Sequence, residues 1–110
     1  MKGKFEEFND GIVDLYAVND DGKLEKVTGN LRFGRENVSV TRHYAARAAD
    51  TRADSVIHVP WQQAVKPQLV AVIEKEQFDV DKVDHIKTTL PPIVRMTLIR
   101  LEKHKEKEFA

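Results

Sequence analysis

The sequence predicts a mainly β fold, a small antiparallel β-barrel of about six strands with one short helix between the second and third strands. Short runs of alternating apolar and polar residues, separated by turn residues, recur along most of the chain. Strands this short and this closely spaced favour closure of the sheet, because closure removes exposed strand edges. Between residues 35 and 50 the alternation stops, and apolar residues recur every four positions instead.

Length and composition indicate one domain that spans residues 1–110. Apolar residues make up 41% of the chain, enough for one modest core, and charged residues at 33% indicate a well-solvated surface. The chain has no cysteine, so it has neither disulfides nor thiolate metal ligands. Residues 1–10 and 102–110 are rich in charge, and we expect them to be flexible tails.

The first two strands are predicted to form a hairpin. Residues 11–18 are rich in β-branched and aromatic side chains, and one face of this strand contains Val13, Leu15 and Ala17. Residues 21–22, Asp-Gly, predict a tight turn, because glycine tolerates the positive φ that such turns require.

Residues 24–34 return as the second strand. Its apolar face is predicted to contain Val27, Leu31 and Phe33. Gly29 interrupts this run, and a glycine inside a strand favours a bulge or a sharp bend.

A short amphipathic helix is predicted within residues 35–50. Its apolar stripe consists of side chains spaced four apart, namely Val40, Tyr44 and Ala48. Ser39 or Thr41 would cap the start of the helix by accepting a hydrogen bond from an unpaired backbone N–H. A helix of this length requires docking on the sheet, because its intrinsic propensity is insufficient.

The remaining strands follow the predicted helix. Residues 54–60 form a strand that ends at a proline, and residues 68–83 form two strands around a charged turn at 74–77. A loop with two prolines then leads to a last strand at residues 93–103.

The strand that follows the charged turn needs a bulge. Phe78 and Val80 share one face, but Val83 is out of phase with them. One extra residue near 81–82 would bring Val83 back to the core face.

Residues that would support catalysis or metal binding are scattered. No histidine has a carboxylate or a second histidine at a metal-binding spacing, and neither serine lies in a nucleophile elbow. The aspartate pairs 50 with 54 and 79 with 81 are interpreted as solvated surface. The sequence therefore predicts a protein that is not an enzyme, with no catalytic residue, metal site, cofactor or small-molecule substrate. It also lacks a run of apolar residues long enough to cross a membrane.

Charge argues against a dedicated nucleic-acid binder, because 18 Lys+Arg balance 18 Asp+Glu. Several basic residues nevertheless surround the predicted helix, and an aromatic residue follows the third strand. Taken singly, each is interpreted as solvated surface or, for the aromatic residue, as packing at the rim of the core. As a group they are a candidate contact surface for a protein partner, because Arg and Trp are enriched at interface hot spots. This candidate surface consists of Arg35, Arg42, His43, Arg47, Arg52 and Trp61.

The order of features between residues 39 and 101 resembles that of the small head-closure proteins of long-tailed bacteriophages and prophages, also called head–tail joining or stopper proteins. HYAARAAD is followed by ADSVIHVPW, then by VAVIEKEQFDVDKVDHI, and then by PPIVRMTLIRLEK. Members of the family show a Tyr-x-Ala-type helix, a strand ending in I-x-V/T-P, a strand–turn–strand unit and a final strand. These features correspond here to Tyr44-Ala45, Ile57–Pro60, Val70–Ile73 with Phe78–Val80, and Val94–Leu101.

The resemblance implies a structural protein of the virion neck or connector, present in the host cytoplasm before assembly. Copies would self-associate as a ring beneath the portal and adaptor proteins after DNA packaging, close the DNA-filled head and present a surface to tail-completion proteins. Contacts between copies and with the adaptor would involve the loop within residues 34–41 and the chain ends. A contact with packaged DNA is a further expectation, whereas a membrane contact is not expected.

Three other classes of protein remain open. Another phage neck protein or a tail terminator is the nearest alternative, although adaptors are typically helical and tail terminators are usually larger. A small OB-like or SH3-like barrel would bind nucleic acid, and it would need exposed aromatic residues beside a basic groove. A small enzyme would need a catalytic constellation, which would have to be shared between subunits.

Overall fold

A computed structural model describes residues 6–36 and 55–110, and these residues form a closed antiparallel barrel. Its six strands are β1 (Gly11–Val18), β2 (Leu24–Arg35), β3 (Ser55–Pro60), β4 (Val70–Ile73), β5 (Glu76–Ile86) and β6 (Ile93–Arg100). Around the barrel the strand order is β1, β2, β3, β6, β5, β4, and β4 pairs with β1 to complete the ring. The predicted mainly β barrel of six strands is confirmed. The apolar stripe of the predicted helix, at residues 40–48, lies outside the described residues.

One apolar core fills the barrel and receives buried side chains from every strand. Alternate residues of each strand point inward, as the period of two requires. The connection between β3 and β4 adds Val65 and Leu69 to this core. Among the strand residues the core includes Leu15, Phe33, Ile57, Ala71, Phe78 and Met96.

β2 has a bulge at the predicted position. Val13 lies opposite Leu31, and Leu15 lies opposite Thr28, so β2 has one residue more than β1 between these two pairs. The extra residue falls next to Gly29, which confirms the bulge predicted there.

A second register shift in β2 makes one sequence prediction wrong. After Leu15 the pairing skips another residue of β2, so Val27 leaves the core face that it was predicted to share with Leu31 and Phe33. Val27 is exposed, whereas Leu24, at the start of the strand, is buried. Hydrophobic alternation fails here because it assumes an unbroken period of two.

β5 has the bulge that its hydrophobic pattern requires. Val80 pairs with Leu98, and Lys82 pairs with Thr97, which is adjacent to Leu98 in β6. Asp81 is therefore the extra residue. Val83 is thereby returned to the core side, where it is partly buried. The predicted bulge near 81–82 is confirmed.

The connection between β4 and β5 is a two-residue turn. Glu74 and Lys75 both have positive φ, 51° and 72°, as the tight turns of β-hairpins with two-residue loops require. The predicted charged turn at 74–77 is therefore confirmed, although it is shorter than predicted.

Both described chain ends lie against the barrel. At the N-terminal end the backbone N–H of Glu6 donates to the Leu90 carbonyl oxygen at 3.0 Å, and that of Asp10 donates to the Phe33 carbonyl oxygen at 2.9 Å. At the C-terminal end, a short 3₁₀ helix at Lys103–Lys105 precedes residues that hydrogen-bond to β2 and β5. Residues 1–10 and 102–110 were expected to be flexible tails, and contacts of these residues with the barrel were not predicted.

Replacement of Leu98 by alanine is expected to lower the free energy of unfolding by about 2–5 kcal/mol, because the side chain is fully buried and leaves a cavity. Leu90→Ala is the matched control, since Leu90 is 49% exposed, and we expect a change within about 0.5 kcal/mol. Urea denaturation followed by circular dichroism measures both. Equal losses in the two variants would contradict the placement of the core.

Candidate functional site

The structure describes two of the six residues predicted to contact a partner, Arg35 and Trp61. Arg35 is the last residue of β2 and pairs with Ile57, whereas Trp61 follows the last residue of β3. The two therefore lie toward opposite ends of β3, and the barrel does not bring them side by side. The other four predicted residues lie outside the described ranges, namely Arg42, His43, Arg47 and Arg52.

Arg35 is exposed at the rim of the barrel where β2 ends and β3 begins. Its backbone N–H donates to Asp10 Oδ2 at 2.7 Å, and its guanidinium carbon lies 5.3 Å from the centre of the Phe33 ring. These contacts fix the backbone and leave the charged group at the surface. A groove at this rim is lined by charges of both signs and is formed by Arg35, Ser55, Ile73, Glu74, Glu76, Phe78 and Arg100.

Trp61 packs at the rim of the core and is partly buried. Its ring meets the His85 ring edge to face, with 5.0 Å between their centres, and Lys87 Nζ lies 5.2 Å from the indole centre. Its backbone N–H donates to the Pro92 carbonyl oxygen at 3.1 Å. The position fits the interpretation of Trp61 as core-rim packing. Its contact with a partner stays a prediction.

A charged cluster lies across the junction of β2 and β3, and we call Glu6, Glu36, His58 and Arg95 the seam cluster. His58 Nδ1 lies 3.0 Å from Glu36 Oε2, and His58 Nε2 lies 3.5 Å from Glu6 Oε1. Arg95 Nε lies 3.0 Å from Glu36 Oε1, in an orientation that makes an ion pair but not a hydrogen bond. The His58 and Glu6 side chains are 8% and 7% exposed, so these charges are largely removed from water.

The strand register explains why the seam cluster forms. Ile57 and Val59 point into the core, so His58 points outward, and its cross-strand neighbours are Gly34 on β2 and Arg95 on β6. Glu36 follows the end of β2 and therefore lies beside the same row. Interacting polar and charged side chains therefore lie along one row of outward-facing positions that crosses β2, β3 and β6.

Gly34 provides the space that this arrangement needs. A Cβ atom at position 34 would overlap the Glu7 carbonyl oxygen and would lie 2.6 Å from His58 Nε2. Only glycine allows both the imidazole and the N-terminal segment to approach β2 this closely.

The N-terminal segment covers His58 from outside the barrel. The Glu7 carbonyl oxygen accepts a hydrogen bond from His58 Nε2 at 2.8 Å, and the Phe8 ring meets the imidazole edge to face at 5.3 Å between centres. This cover explains why an outward-facing histidine is buried.

Both ring nitrogens of His58 have hydrogen-bonding partners. The Glu7 carbonyl oxygen only accepts, so Nε2 must carry a hydrogen. The Glu36 carboxyl group lies 3.0 Å from Nδ1 and is the partner of that nitrogen. On its other side Glu36 faces the Arg95 guanidinium.

The seam cluster also contains three residues of metal-binding type. One ligand atom from each of Glu6, Glu36 and His58 lies within 4.8 Å of the other two. Both ring nitrogens of His58 already have protein partners, however, because Nε2 is hydrogen-bonded to the Glu7 carbonyl oxygen and Nδ1 lies against Glu36. These contacts fit a hydrogen-bonded cluster.

Comparison with known proteins identifies no family for this chain. The sequence matches no known protein-family model and no curated protein sequence. Within residues 6–36 and 55–110, no helix has the length and apolar character needed to cross a membrane.

The seam cluster was not predicted from the sequence. None of its four residues, Glu6, Glu36, His58 and Arg95, was among the predicted contact residues. One signal was available, because a histidine between two core-facing residues of an apolar strand must point outward. That signal gives the direction of the side chain but does not reveal which residues cover it.

Replacement of Gly34 by alanine is expected to lower the free energy of unfolding by about 1–3 kcal/mol, because the added methyl group displaces the N-terminal segment or His58. Gly29→Ala is the matched control. Its Cβ would meet the Asp14 and Lys26 side chains and no backbone atom, so we expect a smaller loss. Urea denaturation compares the two, and a larger loss for Gly29→Ala would contradict the close approach at Gly34.

Glu36→Gln is expected to destabilise the fold by about 1.5–3 kcal/mol, because it removes the anion between His58 and Arg95. Glu76→Gln is the matched control, since Glu76 pairs with Arg100 at the exposed surface and such pairs contribute about 0–1 kcal/mol. Both values come from denaturant titration at neutral pH. A loss for Glu36→Gln no greater than that of the control would argue against the seam cluster.

Proposed function

We propose that this protein is a head-closure protein of a long-tailed bacteriophage or prophage. It acts as a structural component and catalyses no reaction. Its copies assemble as a ring beneath the portal and adaptor proteins, close the DNA-filled head and provide the surface to which tail-completion proteins attach. Its location in this proposal is the neck of the virion, after a period in the host cytoplasm.

The observation that carries the proposal is a closed barrel whose longest connection starts and ends at one rim. Glu36 and Ser55 flank residues 37–54, and the Glu36 backbone N–H donates to the Val56 carbonyl oxygen at 2.8 Å. Exposed Arg35 lies at this rim, and the connection contains the other four predicted basic contact residues. Contact residues placed on a connection from a rigid scaffold are typical of proteins that work by binding.

Charge is compatible with self-association. Copies that meet head to tail in a ring must join two different surfaces. The formal net charge is zero, so the copies do not repel one another through a net field. The rim groove has both signs of charge, with Arg35 and Arg100 near Glu74 and Glu76. Opposite local charges on neighbouring copies would direct their orientation.

A nucleic-acid-binding barrel is less well supported. Such a barrel presents aromatic rings to stacked bases along a basic groove. Among the described residues, Phe33 and Phe78 are in the core, and Tyr16 contacts Phe109 with 5.0 Å between ring centres. Trp61 is partly buried against the core. A salt-dependent shift of DNA in a gel would favour the nucleic-acid class over the structural one.

Simultaneous replacement of Arg42 and Arg47 by glutamate tests the proposal. We expect at least a roughly ten-fold loss of binding to adaptor-bearing, DNA-filled heads, because hot-spot arginines dominate interface affinity. Cosedimentation with purified heads measures binding, and circular dichroism verifies the fold of the variant.

The matched control reverses two exposed charges elsewhere, Arg32→Glu with Lys66→Glu, and should bind as the unmodified protein does. Normal attachment of the Arg42/Arg47 double variant would count against the proposed contact surface. Failure of the unmodified protein to bind any portal–adaptor complex would count against the head-closure function itself.

A further inference from the structure

An apolar patch on the outer face of the barrel contains two buried residues, Val70 and Leu24, beside the exposed Val18. Leu15 points into the core, so Tyr16 and Val18 on the same strand point outward. Their cross-strand partners, Val70 and Leu24, share that outer face, and neither belongs to the barrel core. Both are nevertheless only 1% exposed. Something outside the barrel wall must therefore exclude water from them.

The last residues of the chain contact this patch, and we call residues 107–110 the C-terminal strap. The N–H of Leu24 donates to the strap and its carbonyl oxygen accepts from the strap, each at 2.8 Å. These bonds pair Leu24 with Phe109 as a short parallel bridge. The Phe109 ring then contacts the Tyr16 ring, with 5.0 Å between their centres.

Gln77 provides a second attachment for the strap. Its Nε2 donates to the Lys107 carbonyl oxygen at 2.8 Å, and its Oε1 accepts from the Lys107 N–H at 2.9 Å. Gln77 is 5% exposed although it precedes the core residue Phe78 and so faces outward. One buried amide therefore binds both backbone groups of one strap residue.

The link between the barrel and the strap is exposed. Leu101 makes the last β6-side bond to β5, through its N–H to the Gln77 carbonyl oxygen at 3.0 Å. The 3₁₀ helix at Lys103–Lys105 follows and contains no buried residue. A change of direction in this link therefore costs little buried surface.

We propose that the C-terminal strap exchanges between copies of this chain, so that the strap of one copy binds the outer patch of a second copy. The second copy's strap fits because it makes the same bonds to Leu24 and Gln77 and the same ring contact with Tyr16. An identical element exchanged between protomers is a low-cost route to association. Strap and patch are different surfaces, so the exchange closes either as a reciprocal pair of copies or as a ring. This inference does not depend on the head-closure proposal.

The balance between the two arrangements follows from concentration. A chain's own strap competes at the effective concentration that its link provides, which is on the order of millimolar for short flexible links. Exchange is therefore minor in dilute solution and becomes dominant when copies are held close together.

Cysteine cross-linking tests the exchange, because the chain contains no cysteine of its own. Leu24→Cys is prepared with an affinity tag and Phe109→Cys without one. Paired residues on adjacent strands lie within the range that a disulfide spans. The two variants are mixed over a range of concentrations up to millimolar, with oxidised glutathione as the electron acceptor. The Leu24→Cys/Phe109→Cys double variant is the matched control for the geometry of the pair.

We expect the double variant to form an intramolecular disulfide when dilute, and the mixture to form a tagged–untagged covalent dimer whose yield rises with concentration. Intramolecular cross-linking in the double variant without any mixed dimer at any concentration would overturn the exchange. Absence of both products would overturn the docked strap on which the inference rests. Neither result bears on binding to phage heads, so failure of this inference is distinguishable from failure of the proposed function.

A second measurement separates exchange from accidental cross-linking. Gln77→Ala is introduced into the Phe109→Cys variant alone, where it removes both bonds that hold that chain's own strap and leaves Gln77 in the Leu24→Cys variant to bind it, so formation of the mixed dimer should accelerate roughly ten-fold. Gln63→Ala is the matched control, because Gln63 is exposed. Equal rates in the two backgrounds would show that the dimer does not require release of the strap, and would contradict the proposal.

Discussion

Closure of the barrel depends on the seam between β2 and β3. Among the residues that the structure describes, two pairs join these strands, Gly34 with His58 and Arg35 with Ile57, whereas β3 and β6 pair along the whole length of β3. The seam cluster adds ion pairs and hydrogen bonds across this short junction. Because buried charged groups stabilise a fold only when they are paired, the contacts of Glu36 with both His58 and Arg95 are as important as its position. Phe33 and Ile57 in the core lie directly behind this seam.

Each of the two chain ends covers outward-facing residues of the barrel wall, at a different place on the barrel. A strand in a single-layered wall has outward residues, and here several of them are buried, including His58, Gln77 and Leu24. Residues 6–8 cover His58, and residues 107–110 cover Leu24 and bind Gln77. In both cases backbone groups of the covering segment make the key bonds. A segment rich in charged and polar residues can therefore shield these wall residues from water, because a backbone hydrogen bond requires no particular side chain.

The sequence predicted the strands and their irregularities well, because periodicity is a local property. Gly29 and the phase of Val83 indicated two real bulges from neighbouring residues alone. Val27 was predicted on the wrong face of β2, because no glycine marks the second register shift in this strand. The seam cluster could not be predicted for another reason. Residues 6–8, 36, 58 and 95 are far apart in the sequence and come together only in the folded barrel. Docking of the chain ends escaped prediction in the same way, since their composition is that of a solvated tail.

The seam cluster also links stability to the proposed recognition. Glu36 is the last described residue before the connection that contains four of the predicted contact residues, and its carboxylate is held between His58 and Arg95. These contacts place the start of this connection at a constant position on the barrel rim. The strap binds through main-chain bonds at Leu24, through the Gln77 side chain and through the contact of the Phe109 and Tyr16 rings, all of which an identical copy provides. If both proposals hold, the arginines select the partner and the strap joins identical neighbours, so one small barrel supports two kinds of contact.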